Sequence, residues 1–220
     1  MSFRLLKSAI LEPFQKPYLL VWAFTYSGLI YLLNLQASLY DIGNPRWVLT
    51  MAGIILLSPF FNGGFILLLR AGYSGQRLGF VEAIAQVVPA YGSLVLGQVL
   101  VSLIVGIGLM FFVLPGIYFG LRLIFYKQEL LIAGKRGTEA LKMSMVRTRQ
   151  PGLKQVLFLY LSIAYLPVAL STAAAFFLPV SLLWDVLAVF SSALVFAWSN
   201  ILVTRIYLQL STKAPLGIAV

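Results

Sequence analysis

The chain is a succession of long apolar runs separated by short polar interruptions. About 20 apolar residues in a helix cross the hydrocarbon of a bilayer. Six runs meet that length, approximately residues 17–37, 47–69, 91–113, 116–133, 156–178 and 186–210. The pattern predicts an all-α membrane protein with six transmembrane helices, folded as one polytopic domain over residues 1–220. Between the runs lie a short loop with Asp41 and Arg46, the polar stretch "RAGYSGQRLGF", and a tight turn at Pro115-Gly116. A long basic loop over 127–154 follows, and then "PVSLLWD" with Asp185.

Three of the polar interruptions share a form. "FRLLKSAILEPF" (3–14) precedes the first pair of spans, "GFVEAIAQVVPAYG" (79–92) the second, and "GTEALKMSMVRTRQPG" (137–152) the third. The second and third repeat "EAI" and "EAL" at Glu82-Ala83-Ile84 and Glu139-Ala140-Leu141. Each has the apolar and polar spacing expected of an amphipathic helix lying in a membrane interface, with Lys and Arg among the polar positions of the first and third. The expected architecture is three repeats of an interfacial helix followed by a transmembrane hairpin.

Charge orients this arrangement. Cytoplasmic segments of membrane proteins collect Lys and Arg. With both termini cytoplasmic, fourteen of the sixteen Lys and Arg fall inside, Arg46 falls outside and Arg122 lies within a span. The same asymmetry accounts for the net charge of +10 without a nucleic-acid partner. Glu12, Pro13 and Pro17 interrupt the start of the chain and the first apolar run is long enough to span, so no cleavable leader is expected.

Composition narrows the chemistry further. The chain is 61% hydrophobic and 10% charged, with a mean hydropathy of +0.97. Soluble domains carry roughly a quarter charged residues. There is no Cys and no His, which removes thiol chemistry, disulfides and the usual soft-metal ligands. The carboxylates are Glu12, Asp41, Glu82, Glu129, Glu139 and Asp185. No nucleophile-and-base pair and no phosphate-cradling glycine loop is visible. Neither an enzyme, nor a metal, nor a cofactor is expected.

The span over 116–133 departs from the others. Gly116 and Gly120 form a small-xxx-small pair that lets helices approach closely. Tyr118, Arg122, Tyr126 and Glu129 follow at spacings of four, four and three, which on one helix gives a shared polar face. The two tyrosines would then flank the guanidinium. One reading is a buried polar site for a phosphate or carboxylate headgroup. The other is a structural arginine bonded to a backbone carbonyl or to Asn200, or snorkelling to an interface. Asn62-Gly63-Gly64 is expected to loosen the second span, as broken helices do around transporter sites. In the basic loop, Lys135, Arg136, Lys142, Arg147, Arg149 and Lys154 are expected to meet anionic headgroups, at about 1 kcal/mol for each surface-proximal cation. Topology alone would also place them there. Trp22, Trp47, Trp184 and Trp198 suit interface or packing positions.

The segments "NGGFILLLRAGYSGQR" (62–77), "GIGLMFFVLPGI" (106–117), "EALKMSMVRTR" (139–149) and "RIYLQL" (205–210) resemble the YciC-like family of bacterial inner-membrane proteins. More distantly, the chain is similar to the membrane domains attached to glycerophosphodiester phosphodiesterases. The first resemblance implies six spans and a cytoplasmic-membrane location, and supplies no catalytic residues. The second carries no activity across, because the metal-binding catalytic domain is absent. The sequence therefore reads as a non-enzymatic inner-membrane protein, a scaffold or lipid-interacting partner in the envelope, in contact with anionic lipid and with other membrane proteins. The competing reading is a transporter or channel for a small solute or lipid, built on Arg122 and the Asn62-Gly63-Gly64 break. An enzyme acting on lipid headgroups ranks last.

Overall fold

The computed structural model describes residues 3–111, 113–150 and 182–213, together with positions 153, 157, 158, 162, 165–167 and 170. Every regular element among them is helical: α1 (Phe3–Gln15), α2 (Pro17–Ser38), α3 (Pro45–Tyr73), α4 (Phe80–Val87), α5 (Tyr91–Phe111), α6 (Val113–Arg122), α7 (Tyr126–Leu131), α8 (Gly137–Arg147) and α9 (Leu182–Lys213). A short 3-10 turn, Val88–Ala90, joins α4 to α5. Four stretches are long and apolar enough to cross a membrane: Pro17–Ser38, Pro45–Tyr73, Phe80–Phe111 and Trp184–Thr212.

Three expectations change at this level. Residues 116–133 are not one span, because the helix stops at Arg122 and restarts at Tyr126. α6 has ten residues and α7 six, each far below the length needed to cross. Pro115-Gly116 is not the turn between two helices that was expected, since both residues lie within α6. Pro115 lies instead in the first turn of α6, where a missing N–H breaks no intrahelical bond. α3 runs without interruption through Asn62-Gly63-Gly64, so these residues do not break the span. The expected fifth span, 156–178, lies outside the described residues apart from isolated positions.

Two compact units divide the chain, one from Met1–Asn62 with Leu159–Asn200, the other from Gly63–Phe158 with Ile201–Val220. In the first, Trp22 is 1% exposed and its indole N–H donates to the Phe61 carbonyl at 3.0 Å. Trp198 donates likewise to the Ile10 carbonyl at 3.1 Å, tying α1 to α9. Trp47 and Trp184, each near the start of a long helix, are half-exposed.

Close backbone approach organises the second unit. A Cβ on Gly63 would lie 2.9 Å from Val87 Cγ2. The glycine that sequence assigned to a helix break therefore closes a helix contact. A Cβ on Gly97 would lie 3.0 Å from the Tyr126 ring. At the α5–α6 hairpin, a Cβ on Gly108 would meet the Gly116 Cα at 2.8 Å, and one on Gly116 the Leu109 amide nitrogen at 2.7 Å. Gly120, the second member of the expected pair, has only Val105 at 3.8 Å. The working pair is therefore Gly108 with Gly116.

The three segments expected to lie in an interface contain α1, α4 and α8. In each, an exposed polar residue precedes an alanine with 0% exposure: Ser8-Ala9, Glu82-Ala83 and Glu139-Ala140. Pro13, Val87 and Ser144, four residues further on, are buried in turn. Ala9 and Ala83 each stand eight residues before the start of a long helix, Pro17 and Tyr91. The match thus extends to "SAI", which was not part of the sequence correspondence.

Overpacking at a tight contact costs about 1–3 kcal/mol, against at most about 1 kcal/mol gained from alanine's helix propensity. Gly116→Ala is expected to lower the melting temperature of the detergent-purified protein, and Gly120→Ala to leave it level or raise it slightly. The opposite order in thermal unfolding would restore the original pair.

Candidate functional site

A helix that stops inside a protein leaves carbonyl and amide groups without partners. At the break after α6 one side chain meets that need. The Ser144 hydroxyl donates to the Arg122 carbonyl at 3.0 Å and accepts from the Phe125 amide at 3.1 Å. Ser144 has no exposed surface, so water cannot substitute. The Leu123 amide still reaches back to Phe119 at 3.0 Å, and Tyr126 to Leu123 at 3.1 Å.

α7 ends at a turn around Gly134, whose φ of +70° favours glycine. There the Lys135 amide closes on the Glu129 carbonyl at 3.0 Å. The chain then enters α8, which returns an arginine to the same place. Arg147 Nε donates to Glu129 Oε1 at 2.6 Å, with side-chain exposures of 9% and 1%. The Tyr207 hydroxyl of α9 donates to Glu129 Oε2 at 3.3 Å. The Arg147 guanidinium lies 4.5 Å from the Tyr207 ring centroid and also reaches Ser211 Oγ at 3.4 Å. The result is a carboxylate, guanidinium and phenol set joining α7, α8 and α9 inside the second unit. Nearby, Gln128 Nε2 donates to Thr204 Oγ1 at 3.3 Å.

This arrangement changes the sequence picture of the polar face. The break rotates α7 relative to α6, so the four residues do not line one helix. Tyr118, 45% exposed, keeps Arg122 at 5.9 Å from its ring. Tyr126 turns away and donates to Gln98 Oε1 at 2.6 Å. Glu129 leaves the face altogether and pairs with Arg147. The Asn200 amide donates to Asn62 Oδ1 at 3.4 Å and to the Phe196 carbonyl at 2.8 Å.

The basic loop also divides. Arg136, Lys142 and Arg149 are exposed. Lys135 bonds Glu139 at 2.6 Å, and that hydrogen bond raises its pKa above the ordinary lysine value. Its ammonium stays protonated at neutral pH, and on the alkaline side the contact is lost as pH rises through that elevated value. Arg147 is the correction in this set: it turns inward to Glu129 and presents no free guanidinium to a headgroup. Lys154 lies outside the described residues. Among the described residues no three metal-ligating side chains gather. Sequence reasoning missed Ser144, Tyr207 and Gln98; a serine on the apolar side of an otherwise amphipathic helix was the available clue to the first. Comparison with family models, curated proteins and solved structures finds no match.

Removing one partner of a buried ion pair strands the other charge, at a cost of about 3–5 kcal/mol. Glu129→Ala and Arg147→Ala should each sharply reduce the yield of monodisperse protein, with Glu129→Gln milder. Combining Glu129→Met with Arg147→Met should recover much of the loss. Failure of the double variant to exceed both alanine variants in thermal stability would refute the stranded-charge account. Ser144→Ala leaves the buried Phe125 amide without its partner, while the Arg122 carbonyl keeps the Thr148 hydroxyl at 3.3 Å; it is expected to cost about 1–3 kcal/mol, read as a lower unfolding midpoint.

Proposed function

We propose that the chain is a non-enzymatic polytopic protein of a bacterial inner membrane that holds anionic lipid at a basic surface helix. In this reading it belongs with the YciC-like proteins its segments resemble, has both termini cytoplasmic, and serves as a scaffold or lipid-interacting partner of other membrane proteins. The observation that carries the reading is the outward face of α8. Lys142 and Val146 lie four residues apart on α8 and Arg149 in the turn that follows it, and all three are exposed. Arg136 stands exposed immediately before the helix. One apolar residue set among cations on an outward face suits a helix lying against headgroups. The burial of Arg147 sharpens this assignment, since the lipid contacts become Arg136, Lys142 and Arg149, with Lys135 partly neutralised by Glu139. The transporter reading loses the helix break on which it relied.

Three cations at about 1 kcal/mol each give about 3 kcal/mol, or roughly a hundredfold in affinity at low ionic strength. Arg136→Gln, Lys142→Gln and Arg149→Gln together should weaken phosphatidylglycerol retention by tenfold to a hundredfold. Native mass spectrometry against a phosphatidylcholine competitor measures it. Unchanged retention by the folded triple variant sinks the proposal.

A further inference from the structure

The first unit holds a second concentration of polar side chains, separate from the ion pair. The Tyr26 hydroxyl of α2 donates to Ser58 Oγ of α3 at 3.1 Å. Asn62 Nδ2 donates to the same oxygen at 3.2 Å and to the Ser58 carbonyl at 2.8 Å. Asn200 of α9 completes the chain by donating to Asn62 Oδ1. Three apolar helices are thus joined by a continuous run of neutral hydrogen bonds.

Two hollows of about 190 and about 350 Å³ lie along this run, and both are lined by Tyr26 and Ser192. The smaller extends to Asn34, the larger to Ser199, Asn62 and Asn200. Along α9 the lining runs from Ala188 to Asn200, about 18 Å at the helical rise. The groove therefore leads from near one end of the span to its middle. The larger hollow falls within the volume range of small-molecule sites, which are mostly apolar with a few placed polar groups.

The lining also selects the chemistry. Among the described residues neither hollow is lined by a charged side chain; Asp185 bonds the lining Tyr31 of the smaller one and would oppose an anion there, and no lining charge around Asn200 offsets a charge carried to mid-span depth. Asn200 commits its N–H groups to Asn62 and Phe196, leaving its carbonyl oxygen as an acceptor. The exposed Ser192 hydroxyl and the lone pairs of Tyr26 Oη add acceptor capacity. Acceptors grouped in a neutral cleft call for a ligand that brings O–H donors.

We propose that this groove binds an uncharged hydroxyl-bearing group of about the size of a glycerol moiety, presented by a free polyol or by the glycerol backbone of an uncharged lipid. It goes beyond the headgroup surface proposed for α8, since it lies in the other unit and selects against charge.

The test uses the full chain in phosphatidylcholine nanodiscs, with glycerol and dioctanoylglycerol as probes. Glycerol is followed by saturation-transfer NMR and dioctanoylglycerol by native mass spectrometry. Asn200→Leu and Ser192→Val should each weaken the bound probe at least fivefold, while dioctanoyl phosphatidylglycerol retention stays as in the parent. Asn200→Leu also removes a helix-to-helix bond, so Ser192→Val, at an exposed position, decides the matter if the former does not fold. Binding of dioctanoylglycerol alone assigns the group to lipid; binding of glycerol assigns it to a free polyol. Binding of neither probe, or equal binding by parent and Ser192→Val, overturns the proposal. Loss of phosphatidylglycerol retention in the α8 triple variant leaves this result unaffected, so the two readings fail separately.

Discussion

Glu129 has no exposed surface, and a carboxylate in that position keeps its charge only if the protein supplies the counter-charge. Much of the second unit is arranged around that requirement. The α6–α7 break, the Gly134 turn and the entry into α8 bring Arg147 back to within 2.6 Å of it. α9 adds Tyr207 to both members, by a hydroxyl to the carboxylate and by the ring to the guanidinium. The pair need not add much net stability over an apolar replacement, because desolvation offsets most of the attraction. Its larger consequence is specificity: few placements of α8 satisfy both charges.

Burying hydrocarbon gives helices little reason to associate in lipid, where tails are as apolar as leucine. The structure answers with close contact and with polar links. Gly108 against Gly116 brings two backbones too close for a Cβ, and Gly63 and Gly97 let the Val87 side chain and the Tyr126 ring seat directly on helix backbone. Trp22 to Phe61 and Trp198 to Ile10 add side-chain-to-carbonyl bonds between elements distant in sequence. Interhelical hydrogen bonds of this kind average about 0.6 kcal/mol each, so the links act by number and by direction.

The sequence made the long apolar helices legible, because twenty apolar residues have few other uses. Glu82-Ala83 and Glu139-Ala140 were legible as equivalents for the same reason, since a short motif stood out against apolar surroundings. The span over 116–133 was not, because nothing local to residues 123–125 announces a break. The break is supported by Ser144, nineteen residues beyond Phe125, and a partner that far along the chain leaves no trace in periodicity. Glu129 was recognised as a buried polar group, but its partner was sought on its own helix. Asn62-Gly63-Gly64 was misread through the opposite error. Glycine permits unwinding and close approach alike, and only Val87, on another helix, decides between them.

Arg147 and Arg149 show how the internal pair bears on the proposed lipid surface. They are two residues apart, Arg147 as the last residue of α8 and Arg149 in the turn beyond it. By sequence both belong to one basic cluster, yet one is buried against Glu129 and the other is exposed. The ion pair therefore fixes the rotation of α8. With Arg147 inward, Lys142 and Val146 are left on the outward face of α8, and Arg149 is exposed just beyond it. A turn of one residue in either direction would strand Glu129 without its cation. The buried charge, unable to meet a headgroup itself, is what holds the exposed charges where a headgroup would find them.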